Sequence, residues 1–149
     1  MKIENPSLLR KFSSPGICEY CKRPSPVRHA HHLSARGMDS GKQLDVRINL
    51  IGLCPLCHQE LHDGNILRID LQAVVAVREG VNQDDIRSVM SLLNRVPKDA
   101  SVELILEAME EAKYSPGEMA LARRTLRWRH PTYTPSEHQR NDQATTGEE

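Results

Sequence analysis

The 149-residue sequence predicts an α+β fold, in which a small part with a four-cysteine zinc site precedes a helical C-terminal region. Two observations predict this arrangement. Four cysteines and five of the seven histidines lie between residues 18 and 62, and amphipathic helical periodicity begins only near residue 70. We therefore predict a zinc-stapled unit over residues 1–66, three to four short helices over 67–130 and a disordered tail over 131–149.

All four cysteines fall into two Cys-x-x-Cys pairs, Cys18 with Cys21 and Cys54 with Cys57. Two such pairs can bring four thiolates to one ion and complete the tetrahedral sulfur shell of a structural Zn²⁺ site. Disulfides would need an oxidising compartment, whereas the segment before Pro15 lacks the apolar core of a signal peptide. A redox pair of the thioredoxin kind would need one such motif rather than two. We therefore predict structural zinc.

The histidines near these pairs form a second group. If a helix begins at the second cysteine pair, His58 and His62 lie one turn apart on one face and can bind one ion together. His31 can supply a third imidazole, whereas its neighbour His32 points to the opposite face of an extended segment. One imidazole can thus bind metal while the other stays free to accept a proton. The alternative is two zinc knuckles that carry out no reaction.

These residues carry a family resemblance. The chain contains, in this order, His31-His32-Leu33, Asn49-Leu50-Ile51 and Leu53-Cys54-Pro55-Leu56-Cys57-His58, with His62 one turn later. This order resembles the HNH endonucleases, and more narrowly the zinc-stapled members common in phages and prophages. Over residues 15–65, the resemblance implies a ββα-metal (His-Me finger) core, in which two strands and a helix hold one catalytic divalent cation. It also implies an enzyme that hydrolyses phosphodiester bonds.

The resemblance assigns two residues to catalysis. It makes His32 the general base that takes a proton from the attacking water. It makes Asn49 the residue whose amide ties the loop between the strands and so holds the base in position. The resemblance also implies that the substrate is DNA, double-stranded and cut to 5′-phosphate and 3′-hydroxyl ends.

The resemblance makes His31 and His58 ligands of the catalytic cation, and His62 resembles a further ligand from the helix. Two other residues remain alternative ligands, His29 on the strand face of His31 and Asn65 after the helix. Imidazole ligands leave Mg²⁺, Mn²⁺, Ni²⁺ and Zn²⁺ open as the catalytic ion.

The net charge is zero, yet the charges are unevenly distributed. Residues 1–63 hold nine Lys or Arg against six Asp or Glu, whereas residues 64–120 hold six against ten. Basic residues return without any acid between residues 121 and 130. Such basic ends can contact DNA phosphates, which supply most non-specific affinity. The candidates are Arg36, Lys42 and Arg47 near the first histidine pair, and Arg123, Arg124 and Arg127 near the end of the helical region.

The remaining elements follow from periodicity. Residues 34–45, with two glycines, predict a loop, and the alternation that begins at Val46 predicts a strand that directs Asn49 away from the core. Four helices are predicted next: one with Leu71, Val74, Val75 and Val77 that ends at Gly80, one from Asn82 to Val96, one over Ser101 to Lys113, and one opened by Ser115-Pro116.

The four amphipathic segments predict a helical bundle that supports the nuclease core. Alternatively, the face from Arg123 to His130, with Trp128 as an apolar anchor, binds DNA or a partner protein. Two alternatives to an independent nuclease also stay open: a zinc-ribbon adaptor that binds DNA or protein without cleaving it, and a nuclease active only within a phage DNA-packaging assembly. The sequence shows no membrane span, and we expect the protein in the cytoplasm of a bacterial or phage-infected cell.

Overall fold

The computed structural model describes residues 1–34 and 43–127. The elements in chain order are helix α1 (Pro6–Ser13), strands β1 (Gly16–Ile17), β2 (Pro24–Ser25) and β3 (His29–His32), a 3₁₀ turn (Arg47–Asn49), strand β4 (Leu50–Leu53), and helices α2 (Pro55–His62), α3 (Arg68–Glu79), α4 (Gln83–Arg95), α5 (Val102–Glu111) and α6 (Pro116–Leu126). The predicted α+β class is confirmed. The predicted disordered tail and Trp128 lie outside the described residues. None of the described helices is long and apolar enough to cross a membrane.

A two-stranded hairpin and one helix form the centre of the N-terminal part. Strands β3 and β4 pair antiparallel, with His31 opposite Ile51 and His32 opposite Leu50. Helix α2 follows β4 directly and packs against both strands. Strands β1 and β2 form a second antiparallel pair that carries the first two cysteines in the turn between them. This arrangement of two strands and a helix agrees with the ββα core that the resemblance implied.

The strand before α2 differs from its prediction. It begins at Leu50 rather than Val46, because the preceding residues form the 3₁₀ turn. Asn49 is 1% exposed and does not point away from the core. Its side-chain oxygen accepts a hydrogen bond from the Ser34 N–H at 2.8 Å, and its amide donates to the Leu44 carbonyl at 2.9 Å. These bonds draw Asn49 inward and turn the chain there.

The four predicted helices of the C-terminal region are confirmed, and local signals fix their ends. Gly80 ends α3 in the left-handed conformation, with φ of +64°, which favours glycine. The side chain of Asn82 caps α4, and that of Ser101 caps α5. Helix α6 begins with a capping box, in which Ser115 and Glu118 each accept a hydrogen bond from the other's backbone N–H.

The helices pack pairwise, α3 on α4, α4 on α6 and α5 on α6. The apolar faces predicted from periodicity are buried or, at Val74, Val96 and Leu106, partly buried. Val77 is 84% exposed, so its assignment to the buried face was wrong. A single hydrophobic cluster includes residues of the hairpin, such as Leu53, and of the helices, such as Leu71 and Leu93. The division into separate units at residue 66 stays a prediction.

Arg78 of α3 joins the helical region to the hairpin. Its guanidinium donates hydrogen bonds to the carbonyls of Leu50 and Arg47, at 2.9 and 2.6 Å, and forms an ion pair with Glu19 at 2.8 Å. The same group lies 4.9 Å from the centre of the Phe12 ring. One planar side chain therefore contacts α1, the first cysteine knuckle and both ends of the 3₁₀ turn.

We expect Arg78→Lys to lower the free energy of unfolding by about 1 to 3 kcal/mol, because lysine keeps the charge but cannot supply the fork of donors that reaches two carbonyls and a carboxylate. Urea denaturation followed by circular dichroism measures this loss. Arg10→Lys, at an exposed position of α1, is the matched control and should change stability by less than about 0.5 kcal/mol. Equal losses in both variants would contradict the assignment.

Candidate metal centre and active site

The sulfur atoms of the four cysteines converge. All four Sγ atoms lie within 4.8 Å of one another, and those of Cys21 and Cys54 are 3.9 Å apart. All four are free thiols, with Cys18 and Cys57 buried. The group can therefore hold a metal ion, and four converging thiols are the ligand set of structural Zn²⁺ sites.

Each cysteine pair sits in a turn with its own backbone support. Cys54 is the N-cap of α2, where its Sγ accepts a hydrogen bond from the Cys57 N–H at 3.4 Å, and Pro55 occupies the first helical turn. In the first knuckle, the Lys22 N–H donates to the Cys18 carbonyl at 2.9 Å, and Lys22 adopts a left-handed φ of +63°. The second cysteine pair therefore lies at the start of α2.

The thiols differ in acidity. Burial opposes ionisation of Cys18, but hydrogen bonds from the backbone N–H groups of Cys54, Cys21 and Tyr20 outweigh it and lower its pKa to about 7. Burial raises the pKa of the Cys57 thiol, and the three neighbouring cysteine side chains raise it further. A bound cation supplies the positive charge that lets crowded thiols act together as thiolates, and this donor set therefore fits a metal ion.

Three predicted ligands of the catalytic cation lie together between β3 and α2. The ring centroids of His31 and His58 are 5.4 Å apart, those of His31 and His62 are 6.4 Å apart, and those of His58 and His62 are 4.7 Å apart. The Nε2 atoms of His58 and His62 approach to 3.2 Å. The i, i+4 spacing on α2 therefore brings two imidazoles to one point, as the sequence indicated.

The two alternative ligands differ in position. The Nδ1 atom of His29 lies 2.7 Å from Nδ1 of His58, so His58 has His29 at one ring nitrogen and His62 at the other. His29 and His62 thus lie on different sides of the His58 ring. A single ion can bind only one nitrogen of His58, so it can have either His29 or His62 beside it at that nitrogen, but not both. Asn65 instead donates a hydrogen bond to the Glu60 carboxylate at 2.8 Å.

His31 is held in the form that binds metal. Burial, followed by the nearby charges of His58, Arg68 and His62, lowers the pKa of His31 to about 4. Burial, His29 and His62 likewise lower the pKa of His58. At neutral pH these rings are therefore neutral, the form in which an imidazole has a lone pair for a cation, and their role as metal ligands stays a prediction.

His32 points to the other face of β3, where it contacts a carboxylate that the sequence analysis missed. Its side chain is 8% exposed, and its Nε2 lies 2.7 Å from Oδ1 of Asp45. The second oxygen of Asp45 accepts hydrogen bonds from the Asn5 N–H and the Gln43 amide, each at 2.9 Å. Burial opposes ionisation of Asp45, but the hydrogen bonds from Asn5, His32 and Gln43 outweigh it and lower its pKa.

Asp45 is therefore ionised at neutral pH, although it is only 2% exposed. The sequence carries no clear signal for this burial, since Asp45 stands between Leu44 and Val46 in a segment where polar and apolar residues alternate. The pattern does not identify its partner, because Asp45 and His32 are 13 residues apart.

The predicted phosphate contacts near the hairpin are described only in part. Arg36 and Lys42 lie outside the described residues. The Nε atom of Arg47 lies 2.8 Å from a carboxylate oxygen of Glu79, in an ion pair between the 3₁₀ turn and α3. Its contact with phosphate stays a prediction, and DNA would compete there with Glu79.

The predicted basic face on α6 is also partly paired. Arg123 forms an ion pair with Glu110 at 3.1 Å, and the Arg124 guanidinium lies 3.4 Å from the Glu79 carbonyl oxygen. Arg127 directly follows α6 and is half-buried. DNA binding by these three arginines stays a prediction.

Comparison with known families adds to this geometry. The family model of the HNH endonucleases matches residues 18–64. We refer to this matched region as the HNH domain. The HNH domain includes both cysteine pairs, the β3–β4 hairpin and α2, and it indicates nuclease activity in general. Searches among curated proteins and among solved structures give no match. The resemblance to HNH endonucleases is thus confirmed, whereas its narrower phage-type, zinc-stapled form stays a prediction.

The metal assignment of the cysteines is testable. We expect Cys54→Ser to lose bound zinc and much of its helical circular dichroism together, because a small cysteine-rich core depends on metal for folding. Zinc content is measured by elemental analysis after dialysis against a mild chelator. His58→Ala is the control and should keep one tightly held zinc per chain. A folded, zinc-free Cys54→Ser protein would contradict structural zinc.

Proposed function

We propose that the protein is a metal-dependent HNH endonuclease that hydrolyses phosphodiester bonds of DNA. One observation carries the proposal: the two faces of β3 present different chemistry. On one face, His31 lies with His58 and His62 of α2. On the other face, His32 is hydrogen-bonded to the ionised carboxylate of Asp45. A ligand cluster and a candidate general base are thus adjacent in sequence but kept apart by the strand.

In this proposal, His31, His58 and His62 bind the catalytic cation. His62 is favoured over His29 because its Nε2 approaches Nε2 of His58, leaving Nδ1 of His58 to donate its hydrogen to His29. An outer hydrogen-bond partner of this kind fixes the tautomer and orientation of a metal-binding imidazole. When bound, the cation neutralises the scissile phosphate and stabilises the leaving 3′-oxygen.

His32 acts as the general base in this proposal, and Asp45 determines which nitrogen is available. An ionised carboxylate only accepts hydrogen bonds, so Nε2 of His32 must be the donor across the 2.7 Å contact. Nδ1 then carries the lone pair that accepts a proton from water. A buried carboxylate also stabilises the imidazolium that forms, as in the histidine–aspartate pairs of hydrolases.

Asn49 positions the base in the same scheme. Its amide joins Ser34, two residues after His32, to Leu44, the residue before Asp45. One side chain thereby connects the backbone segments that carry both members of the His32–Asp45 pair. Its own burial and two hydrogen bonds at 2.8 and 2.9 Å support a fixed conformation.

The proposed cofactors are one structural Zn²⁺ at the four cysteines and one divalent cation, Mg²⁺, Mn²⁺, Ni²⁺ or Zn²⁺, at the histidines. The proposed substrate is double-stranded DNA. A compartment that contains DNA and keeps four cysteines reduced suits this function, namely the cytoplasm of a bacterial or phage-infected cell. An additional packaging partner would be needed only if the isolated chain proves inactive.

The first test compares wild-type protein with His32→Ala in cleavage of supercoiled plasmid, with each candidate metal added after loosely held metal is chelated. We expect cleavage by the wild type and a loss of roughly 10² to 10⁴ in rate for His32→Ala, because the general base is removed. His138→Ala, outside the HNH domain, is the matched control. A folded wild type that is inactive with every metal would favour a zinc-ribbon adaptor or a nuclease that needs a packaging partner.

A second test concerns Asp45. Asp45→Asn should lower kcat between about tenfold and 10⁴-fold, because an uncharged amide neither fixes the tautomer of His32 nor stabilises its protonated form. Gln43→Ala is the control, because it removes another hydrogen bond of Asp45 but keeps the carboxylate and its bond to His32, and it should lower kcat far less. A wild-type kcat in Asp45→Asn would exclude this role.

A further inference from the structure

A cleft lies between the HNH domain and the first two helices after it. Its volume is about 290 Å³. On one side are Ser34 and Asn49, which flank the His32–Asp45 pair, and on the other are side chains of α3 and α4. The polar residues from these two helices are Arg68, Gln72, Arg87, Ser91 and Asn94.

The walls and floor of the cleft differ in chemistry. The floor is apolar and buried, with Leu33, Ile48 and Ile86 each at most 2% exposed. Among the described residues that line the walls, the charged ones are the arginines Arg68 and Arg87, and none is a carboxylate. A cleft whose charged groups share one sign focuses its field and attracts the opposite charge. The amide and hydroxyl groups beside the arginines are donors that suit phosphate and sugar oxygens.

The cleft adjoins the site proposed for catalysis. Ser34 is two residues from His32 and is hydrogen-bonded to Asn49 through its backbone N–H. Arg68, the first residue of α3, is exposed and lines the cleft together with Ser34 and Asn49. Arg87 is also exposed on α4, where it forms an ion pair with Asp84 at 3.6 Å on the same helix. Such an exposed pair is weak and can yield to phosphate.

We propose that this cleft holds the backbone of the DNA strand next to the scissile phosphate, with Arg68 and Arg87 binding successive phosphates. The inference rests on the proposed nuclease function. It gives α3 and α4 a role in substrate binding, although both helices lie beyond the HNH match at residues 18–64. Arginine suits this role because its planar fork of donors matches phosphate oxygens.

The test is DNA binding by the full-length Arg68→Gln/Arg87→Gln protein, followed by fluorescence anisotropy of a labelled duplex without loosely bound metal. Each phosphate contact makes the negative slope of log Kobs against log salt concentration steeper by about 0.9. We therefore expect the double variant to lose about 1.8 from this slope and to bind at least tenfold more weakly at low salt. Circular dichroism checks that both exposed substitutions leave the fold intact.

Arg10→Gln/Arg23→Gln is the matched control, because it removes the same charge from two other exposed positions. This variant should keep most of the wild-type slope. Equal losses in both double variants would show a general charge effect and would overturn the proposal. Wild-type slope and affinity in Arg68→Gln/Arg87→Gln would overturn it as well, as would a wild type that does not bind DNA at low salt. If the cleft binds an acidic peptide and substitution of these two arginines does not change DNA binding, the cleft would be assigned to a protein partner instead.

Hydrolysis of bis(4-nitrophenyl) phosphate separates this inference from the nuclease proposal. This small diester reports the catalytic site and is too short to span two phosphate contacts. We expect the wild type to hydrolyse it, and we expect Arg68→Gln/Arg87→Gln to cleave plasmid at least tenfold more slowly than the wild type. Wild-type hydrolysis of the diester together with an unchanged salt slope in the double variant would overturn this inference alone. A wild type that binds DNA through the cleft but hydrolyses neither substrate would contradict the nuclease function alone.

Discussion

The convergence of four cysteine sulfurs is the constraint on which the candidate site depends. Cys54 caps α2 and Cys57 lies in its first turn, so the residues that meet the first knuckle also fix where this helix begins. Helix α2 has eight residues, too few to be stable through its own hydrogen bonds, and its Leu56 is 63% exposed. Its position beside β3 therefore depends on the cysteine cluster. Because His58 follows Cys57 directly, that cluster also sets how closely the imidazoles of α2 approach those of β3.

The helical region contributes to this arrangement from the opposite side. Arg78 of α3 binds the carbonyls of Arg47 and Leu50, which flank Asn49 in the chain. The turn that carries Asn49 is thus held by α3 from outside, while the Asn49 amide holds the segments beside the His32–Asp45 pair from inside. Since α3 also packs on α4, and α4 on α6, the bundle stabilises backbone that the HNH domain needs for its hairpin.

Local signals explain which elements the sequence could predict. The side chains of Asn82 and Ser115 cap helices within a few residues of themselves, so the helix starts were readable from sequence. The start of β4 was not, because Asn49 turns the chain through a hydrogen bond to a backbone group 15 residues away. The role of Asp45 could not be predicted for the same reason, since its hydrogen-bond partners include His32 and a backbone N–H 40 residues distant. Pairs of predicted metal ligands within one knuckle or one helix were readable from sequence because their spacings are local constraints, whereas the contact of Asp45 with His32 depends on tertiary structure.

The alternation of β3 gives a physical reason why adjacent histidines can divide ligand and base between them. If His31 and His32 faced the same way, both lone pairs would compete for one cation, and the field of that cation would make the second ring a poorer base. With the strand between them, His31 meets α2 while His32 meets Asp45, whose buried carboxylate is hydrogen-bonded to its Nε2. The two rings stay one residue apart along the chain, so the proposed base would remain near a phosphate bound by the proposed cation. Two adjacent histidines on a strand can therefore lie close to one substrate without competing for one cation, provided that a carboxylate such as Asp45 fixes the orientation of the second ring.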